Sequence, residues 1–198
     1  MKLIFIRHGQ TELNAQGRMH ERDAEVGLDA VGRGQARKTA LECKRQGVEH
    51  LYSSPELRAK ETAAVIADEL KADVTILDEL RERDWGDWTD RGWTAIQADL
   101  QGMSLHDRYT FVPPKGESWE QMDERLNKAL TEITSGSEEV VGIVVHAGAL
   151  RAAMPILEGL PKEHSFKYDF KNASLTIFDF DGDHYTKITE DDTRHLDN

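Results

Sequence analysis

The sequence predicts an α/β fold with a mainly parallel central sheet. Short apolar runs alternate with segments of helical periodicity along most of the chain, which is the pattern expected of alternating strands and helices. Two of these runs, at 3–6 and 140–145, carry no polar side chain, as is typical of strands that are buried on both faces. A length of 198 residues suits one well-packed domain, and we expect a single domain over 1–198.

The first half of the chain contains three predicted strands and two predicted helices. Asp29 can cap the first helix, and Gly47 can end it, because glycine readily adopts the left-handed conformation found beyond a helix C-terminus. Pro55 suits the first position of the second helix, where no backbone N–H is needed. The predicted strands are 3–6, 50–52 and 74–77, and the predicted helices are 30–46 and 55–70.

The second half predicts a long amphipathic helix, a buried strand, another helix and a hairpin. Ser118 and Gln121 form a capping box for the first of these helices, whose apolar stripe begins at Trp119. The turn-forming sequence Asp-Gly-Asp at 181–183 separates two short runs, which predicts a hairpin at the edge of the sheet and makes the sheet mixed. The remaining predicted elements are a strand at 140–145, a helix after Gly148, and strands at 175–180 and 184–188.

The segment 86–116 has the least regular pattern. Its Trp, Pro and Gly residues predict a loop-rich excursion with one short helix, and long excursions of this kind often form lids or binding loops. Five apolar side chains in and beside this segment can form either the wall of a pocket or part of the core, and they are Trp85, Trp88, Trp93, Met103 and Tyr109.

The charge composition excludes several classes of partner. Lys and Arg number 25 against 37 Asp and Glu, for a formal net charge of −12, so the surface repels nucleic acid and anionic membranes. The apolar stretch 140–160 is interrupted by polar and charged residues, so we do not expect it to span a membrane. The run at 3–6 is too short for a signal peptide. Cys43 is the only cysteine, so no intrachain disulfide can form, which fits a reducing compartment. We therefore expect a cytoplasmic protein.

Chemically useful side chains follow four of the predicted strands. Arg7 and His8 come directly after the first strand, and His146 follows the strand at 140–145. Arg58 lies in the first turn of the helix after the second strand, and Glu82 closely follows the third. Ligands in open α/β sheets bind beyond the carboxyl ends of the strands, so we expect these five side chains at one edge of the sheet.

This set of residue types suits phosphoryl transfer without a metal or other cofactor. A neutral imidazole can attack phosphorus, two guanidinium groups can hold phosphate oxygens, and a carboxyl group can protonate the leaving oxygen. Gly9 and Gly148 are expected to let backbone and phosphate approach closely, and Asn14 can add a donor. A lone His or Arg at such a position is usually structural, so the prediction depends on their convergence. The sequence contains no phosphate-binding glycine loop, serine-hydrolase elbow or His-Glu-x-x-His zinc motif.

Several segments, in order and over nearly the whole chain, resemble the histidine phosphatase superfamily, also called phosphoglycerate mutase-like. Residues 3–14 (LIFIRHGQTELN) are similar to the signature of that family. Residues 144–151 (VVHAGALR) resemble its second-histidine motif. Further similar segments are 28–36 (LDAVGRGQA), 53–63 (SSPELRAKETA), 80–88 (LRERDWGDW), 116–118 with Arg125, 172–175 (NASL), Asp192 and 195–196.

The resemblance implies a three-layer α/β/α sandwich and a role for each matched residue. His8 corresponds to the nucleophile that forms a phosphohistidine, and Glu82 corresponds to the proton donor that later activates water. No metal is implied. The phosphate-binding shell corresponds to Arg7, Arg58 and His146, and the expected substrate contacts are Gly9, Gln10, Thr11, Asn14, Ala147 and Gly148.

The chain departs from the family pattern at the rim of the predicted pocket. The family often has a Gln-Gly or Ser-Gly pair near His20-Glu21, where this chain has Met-His-Glu-Arg. Ala147 replaces a common glycine, a change small enough to leave the phosphate site intact. His20 can border the pocket, whereas the five other histidines outside the two motifs are assigned to the surface or to loops.

The predicted function is net hydrolysis of a small phosphorylated metabolite by a histidine acid-type phosphatase that acts on phosphomonoesters. Mutases of this family typically carry an inserted segment that excludes water, whereas the excursion at 86–116 is modest. A cofactor-dependent phosphoglycerate mutase remains the alternative, followed by a phosphate-binding regulatory module without turnover. An exposed hairpin edge can pair two chains, so both a monomer and a homodimer remain open.

Overall fold

A computed structural model describes residues 1–20 and 25–197 as a mixed six-stranded sheet with helices on both faces. The strands are β1 (Lys2–Arg7), β2 (His50–Ser53), β3 (Asp73–Ile76), β4 (Val140–Val145), β5 (Leu175–Phe180) and β6 (Tyr185–Asp192). They lie in the order β3-β2-β4-β1-β5-β6, and the first four are parallel to one another. β5 is antiparallel to β1 and forms the predicted edge hairpin with β6. The predicted α/β class and the mostly parallel, mixed sheet are thus confirmed.

Helices cover both faces of the sheet, as the three-layer prediction requires. Among the described residues, the α-helices are α1 (Glu12–Ala15), α2 (Ala30–Gln46), α3 (Leu57–Leu70), α4 (Trp93–Gln101), α5 (Leu105–Thr110), α6 (Trp119–Thr134) and α7 (Ala147–Glu158). Leu3 and Phe5 pack with α6 and α7 on one face, whereas Ile4 and Ile6 pack with α2 and α3 on the other. Because side chains alternate along a strand, both sets of β1 side chains are covered, which explains why its residues 3–6 are all apolar. None of the described helices is long and apolar enough to span a membrane.

Most predicted boundaries agree with the structure within two residues, and the differences have local causes. The helix α3 begins at Leu57 rather than at Pro55, because Glu56 is its N-cap and the Ser54 N–H still bonds the Val144 carbonyl of β4 at 3.0 Å. The strand β6 continues beyond the predicted end at 188, because it pairs with β5 as far as Asp192.

The segment 86–116 is more helical than the sequence predicts. It contains a 3-10 helix (Gly86–Arg91) and both α4 and α5, in place of a loop-rich excursion with one short helix. Ser104 caps α5 by accepting a hydrogen bond from the Asp107 N–H, a capping signal that the sequence contains. A small core stabilises this segment, and its buried members are Trp85, Ile96 and Leu100.

Candidate active site

The two histidines that end neighbouring strands lie side by side. β1 and β4 pair in parallel with Arg7 opposite Val145, so the next residues, His8 and His146, leave the sheet at the same level. Their ring centroids are 5.1 Å apart, and both side chains are buried. The register of two apolar strands therefore brings together two imidazoles that are far apart in the sequence.

One ring nitrogen of His8 is fixed by a hydrogen bond, and the other has no such bond to any residue that the structure describes. Its Nδ1 lies 2.7 Å from the Gly9 carbonyl oxygen, which can only accept a hydrogen bond, so Nδ1 carries the proton and Nε2 keeps its lone pair. Burial and, after it, the positive charge of Arg58 hold the pKa of His8 well below 6.5. The imidazole is therefore neutral at neutral pH, which is the form required of a nucleophile.

His146 is held by a carboxylate. Its Nε2 lies 2.7 Å from Ser54 Oγ and 3.1 Å from Glu56 Oε2, an arrangement in which Nε2–H donates to both oxygens. No hydrogen-bond partner is found for Nδ1 among the described residues. Burial is the main reason that the pKa of His146 is lowered, and Glu56 opposes it by stabilising the imidazolium. A phosphate oxygen at Nδ1 would stabilise the imidazolium further and accept a hydrogen bond from it.

Two guanidinium groups near His8, of the buried Arg58 and the half-buried Arg7, have N–H groups without a partner among the described residues. Arg58, in the first turn of α3, is 1% exposed, and its Nε and Nη1 have no hydrogen-bond partner in the described part of the chain. Arg7 Nη1 donates to the Phe170 carbonyl, and its Nε is likewise without a partner there. Buried cationic donors without partners are destabilising, and an anion that bonds to them offsets this effect. Positive charge is thus concentrated here in a chain whose net charge is −12.

About half of the predicted site residues surround one cavity of about 250 Å³. A smaller cavity of about 140 Å³ reaches Arg58, and Glu82 belongs to the walls of both. His146 is fully buried and lines neither of them. The predicted residues in the wall of the larger cavity are Arg7, His8, Asn14, Glu82, Ala147 and Gly148.

Glu82 is oriented by two backbone N–H groups. Its Oε2 accepts a hydrogen bond from Gly148 N at 3.0 Å, and its Oε1 accepts one from Arg83 N at 2.8 Å. A Cβ on Gly148 would lie 2.1 Å from Glu82 Oε1, so glycine at this position makes room for the carboxylate. Gly148 also lines the larger cavity, and the close approach of phosphate there stays a prediction.

Gly9, Gln10 and Thr11 do not line the larger cavity, although the sequence predicts that they contact the substrate. A Cβ on Gly9 would lie 2.6 Å from the Gly32 carbonyl oxygen, so this glycine allows the loop after β1 to pack on α2. Gln10 Nε2 donates to Asp29 Oδ2 at 3.0 Å, which ties the side chain to the start of α2. Thr11 is fully buried and caps α1. These three residues shape the loop behind the site.

Asn14 and His20 line the larger cavity and share a partner, Thr11. Asn14 Oδ1 accepts hydrogen bonds from Asn172 Nδ2 at 3.1 Å and from the Thr11 N–H at 3.2 Å, which leaves its own N–H groups to donate elsewhere. His20 Nε2 lies 2.9 Å from Thr11 Oγ1. The expectation that His20 borders the pocket is confirmed. The rest of the departure from the family pattern, at Glu21-Arg22, lies outside the described residues.

Much of the remaining cavity wall is aromatic. Trp85 and Trp93 line it with ring centroids 5.6 Å apart, and Trp119 from α6 lines it as well. The five predicted aromatic and apolar residues are thus divided between a pocket wall and the core. The three that do not line this cavity are Trp88, Met103 and Tyr109.

Two residues that no sequence pattern singles out also belong to the site. Arg83 lines the larger cavity, and Glu56 contacts His146. Glu56 bonds His146 and also accepts a hydrogen bond from the Glu82 N–H at 3.2 Å, so it connects the second histidine to the acidic residue. Burial raises the pKa of Glu56, but its charge interaction and hydrogen bond with His146 outweigh this, and the net pKa is lowered. The only signal in the sequence is an acidic residue beside the second arginine motif.

Comparisons with known proteins agree with this geometry. A relative from Hydrogenobacter thermophilus, named "Putative phosphoserine phosphatase 2", is 30% identical over 190 residues, which cover 94% of this chain and 93% of the relative. A protein of Salmonella arizonae, named "Probable phosphoglycerate mutase GpmB", is 27% identical over 208 residues, which cover 100% of this chain and 95% of that protein. The chain spans about half the length of some other curated relatives that it matches.

The fold is shared with solved phosphatases. A mycobacterial glucosyl-3-phosphoglycerate phosphatase in complex with VO3 is similar with a TM-score of 0.86 and 26% sequence identity, and the match covers 97% of this chain and 99% of that one. The family model described as histidine phosphatase superfamily (branch 1) matches residues 3–193. Because this match covers nearly the whole sequence, the chain belongs to the histidine phosphatase superfamily.

Proposed function

We propose that the chain is a metal-independent phosphatase that hydrolyses small phosphomonoesters through a phosphohistidine on His8. The observation that carries this proposal is the fixed tautomer of His8, whose Nε2 lies near Arg7 and Arg58. Over residues 1–20 and 25–197, that Nε2 and N–H groups of both guanidiniums have no hydrogen-bond partner. A neutral nucleophile close to unpartnered cationic donors suits an incoming phosphoryl dianion. Relatives that are named as phosphatases support the same class of reaction.

The proposed reaction has two steps that use the same residues. In the first, His8 Nε2 bonds to phosphorus while the bond from phosphorus to the leaving oxygen breaks, and the carboxylic acid of Glu82 gives its proton to that oxygen. In the second, the Glu82 carboxylate takes a proton from water, the water oxygen bonds to phosphorus and the P–N bond breaks, which releases phosphate. The phosphoryl oxygens accept hydrogen bonds from Arg7, Arg58 and His146, which stabilise their negative charge.

The proposed substrate is a small phosphorylated metabolite, because the cavity beside His8 measures about 250 Å³. Asn14 can add a donor to the phosphate, and the N-terminus of α7 at Ala147 and Gly148 adds a favourable helix dipole. The segment 86–116 supplies Trp93 to the wall, so we assign it the role of a lid over the leaving group.

Trapping of the phosphoenzyme tests this proposal. Incubation with radiolabelled p-nitrophenyl phosphate, followed by rapid quenching in base, should leave label on the peptide that contains His8. The label should survive alkali and be lost in acid, as expected of a P–N bond. Label on a serine, threonine or aspartate instead would contradict a phosphohistidine mechanism.

A phosphoglycerate mutase is the second candidate, favoured by the relative that bears that name. The trapped phosphoenzyme separates the two activities. In a phosphatase, water discharges the phosphoenzyme at a rate that added 3-phosphoglycerate does not change. A mutase would instead convert 3-phosphoglycerate to 2-phosphoglycerate in the presence of a bisphosphoglycerate primer, and a regulatory module would release no phosphate at all. We expect discharge to water.

Removal of metal ions is expected to leave the activity unchanged. The proposed steps use only protein side chains and water, and over residues 1–20 and 25–197 no three His, Cys, Asp or Glu side chains are grouped so that they could hold a metal ion. Phosphate release after dialysis against EDTA should equal that of the untreated enzyme. A loss of activity that Mg²⁺ or Zn²⁺ restores would show that the metal-free mechanism is wrong.

A further inference from the structure

Arg83 is a buried cation between two aromatic rings in the wall of the larger cavity. Its guanidinium carbon lies 3.9 Å from the centroid of the Trp85 ring and 4.9 Å from that of the Trp119 ring. The residue is only 3% exposed, and all three residues line the cavity that contains His8. Stacking on two indole faces holds the guanidinium in place before any ligand binds.

The hydrogen bonds of Arg83 leave one nitrogen unsatisfied. Nε donates to the Glu117 carbonyl at 3.2 Å, and Nη2 donates to the Phe111 carbonyl at 3.3 Å. Nη1 has no hydrogen-bond partner in the described part of the chain. Burial lowers the pKa of Arg83 to about 9, and the charges of Glu117 and Glu82 only partly oppose this. The protein thus keeps a buried cationic donor that an anionic ligand would stabilise.

Arg83 is hydrogen-bonded through its backbone to Glu82, the residue that the proposed mechanism places at the leaving oxygen. The Arg83 backbone N–H donates to Glu82 Oε1 at 2.8 Å. In the proposed mechanism Glu82 protonates the leaving oxygen, so the part of the substrate attached to that oxygen lies beside Glu82 and Arg83. Two other cations of the wall differ from Arg83: Arg18 is exposed to solvent, and Arg151, although its Nε has no partner among the described residues, is paired with Asp169 at 2.8 Å.

We propose that Arg83, between Trp85 and Trp119, forms a second anion-binding subsite for a negatively charged group on the leaving portion of the substrate. The substrate is then a phosphomonoester that carries a further carboxylate or phosphoryl group, an inference that rests on the proposed phosphatase function. A charge-assisted hydrogen bond in a wall shielded from water is stronger than the same bond at an exposed surface. The subsite therefore selects substrates by charge.

A series of aryl phosphates that differ in one substituent tests the subsite. Phenyl phosphate has no second charge, 3- and 4-carboxyphenyl phosphate add a carboxylate, and 1,4-phenylene bisphosphate adds a phosphoryl group. For wild-type enzyme, either the carboxyphenyl phosphates or the bisphosphate should have a kcat/KM at least about tenfold above that of phenyl phosphate. A factor of this size is the effect of one charge-assisted hydrogen bond. Arg83→Gln should remove this preference, and Arg83→Lys should retain part of it.

Arg91→Gln is the matched control. Arg91 also stacks on a tryptophan, with its guanidinium carbon 4.6 Å from the Trp88 centroid, but it does not line the cavity. This variant should keep the substrate preference of the wild type. If Arg83→Gln lowers kcat/KM by the same factor for every substrate, then Arg83 only supports the structure and the subsite is refuted. Absence of any preference in the wild type would refute it as well.

Failure of the phosphatase proposal would give a different result. An enzyme that hydrolyses none of these phosphates contradicts the proposed function, and the subsite is then tested by binding alone. Titration with 4-hydroxybenzoate, followed by tryptophan fluorescence, should give a dissociation constant at least about tenfold lower for wild type than for Arg83→Gln. The uncharged 4-hydroxybenzamide should show no such difference. Equal binding of both compounds to both proteins would overturn the subsite.

Discussion

Replacement of His8 by asparagine is expected to lower kcat/KM for p-nitrophenyl phosphate by at least about 10⁴-fold, or about 5.5 kcal/mol. Asparagine can still donate a hydrogen bond to the Gly9 carbonyl, as His8 Nδ1 does at 2.7 Å. It has no nitrogen lone pair that can attack phosphorus, so the covalent route is closed. Arg7 and Arg58 remain, and the affinity for inorganic phosphate should therefore fall far less than the rate.

Steady-state kinetics and calorimetric titration with inorganic phosphate separate the loss of chemistry from the loss of binding. His184→Asn is the matched control, because His184 is exposed in the hairpin turn between β5 and β6 and should be dispensable for activity. Thermal unfolding checks that the buried His8 site still folds in the variant. A folded His8→Asn enzyme with nearly wild-type turnover would exclude His8 as the nucleophile.

The positions of His8 and His146 can be predicted because both follow apolar strands of one parallel sheet. Such strands are recognisable from sequence, and their carboxyl ends meet at one edge. Arg58 and Glu82 are predictable to a similar extent, since each lies shortly after another strand of the same sheet. The family match over residues 3–193 spans all four of these positions.

Side-chain directions in the loops beyond the strands could not be predicted in this way. Gln10 belongs to the same motif as His8, but the two-residue alternation ends with β1, and only packing against α2 directs its amide to Asp29. Gly148 resembles a phosphate-binding glycine, yet the atom that a Cβ would approach within 2.1 Å belongs to Glu82. Both outcomes depend on residues that are distant in sequence.

The segment 86–116 and Arg83 illustrate a second limit. Helices as short as α4 and α5 are unstable alone, so tertiary packing rather than local propensity decides whether they form. Arg83 stands in the charged run 79–84, for which a solvated surface is the default expectation. It is buried because Trp85 and Trp119, from separate segments, enclose it.

Replacement of Glu82 by glutamine is expected to reduce activity by an amount that depends on the leaving group. General acid catalysis contributes about 10²–10⁴-fold, and it matters most when the departing alcohol is strongly basic. We therefore expect phosphate release from glycerol phosphate to fall by about 10³-fold. The nitrophenolate of p-nitrophenyl phosphate leaves without a proton, so His8 should still be phosphorylated rapidly. Because Glu82 also activates water, the variant should then show a burst of nitrophenolate followed by slow turnover.

A burst measurement separates proton transfer from mere support of the structure. Both carboxylate oxygens of Glu82 accept backbone hydrogen bonds, from Arg83 N at 2.8 Å and from Gly148 N at 3.0 Å, so glutamine must turn its NH2 group toward one of these donors. Such a mismatch would slow every substrate by the same factor and produce no burst. Glu79→Gln, in the same charged run but outside the cavity wall, should behave as wild type in both assays. Equal losses for both substrates without a burst would mean that Glu82 only positions the start of α7, and another group would have to supply the proton.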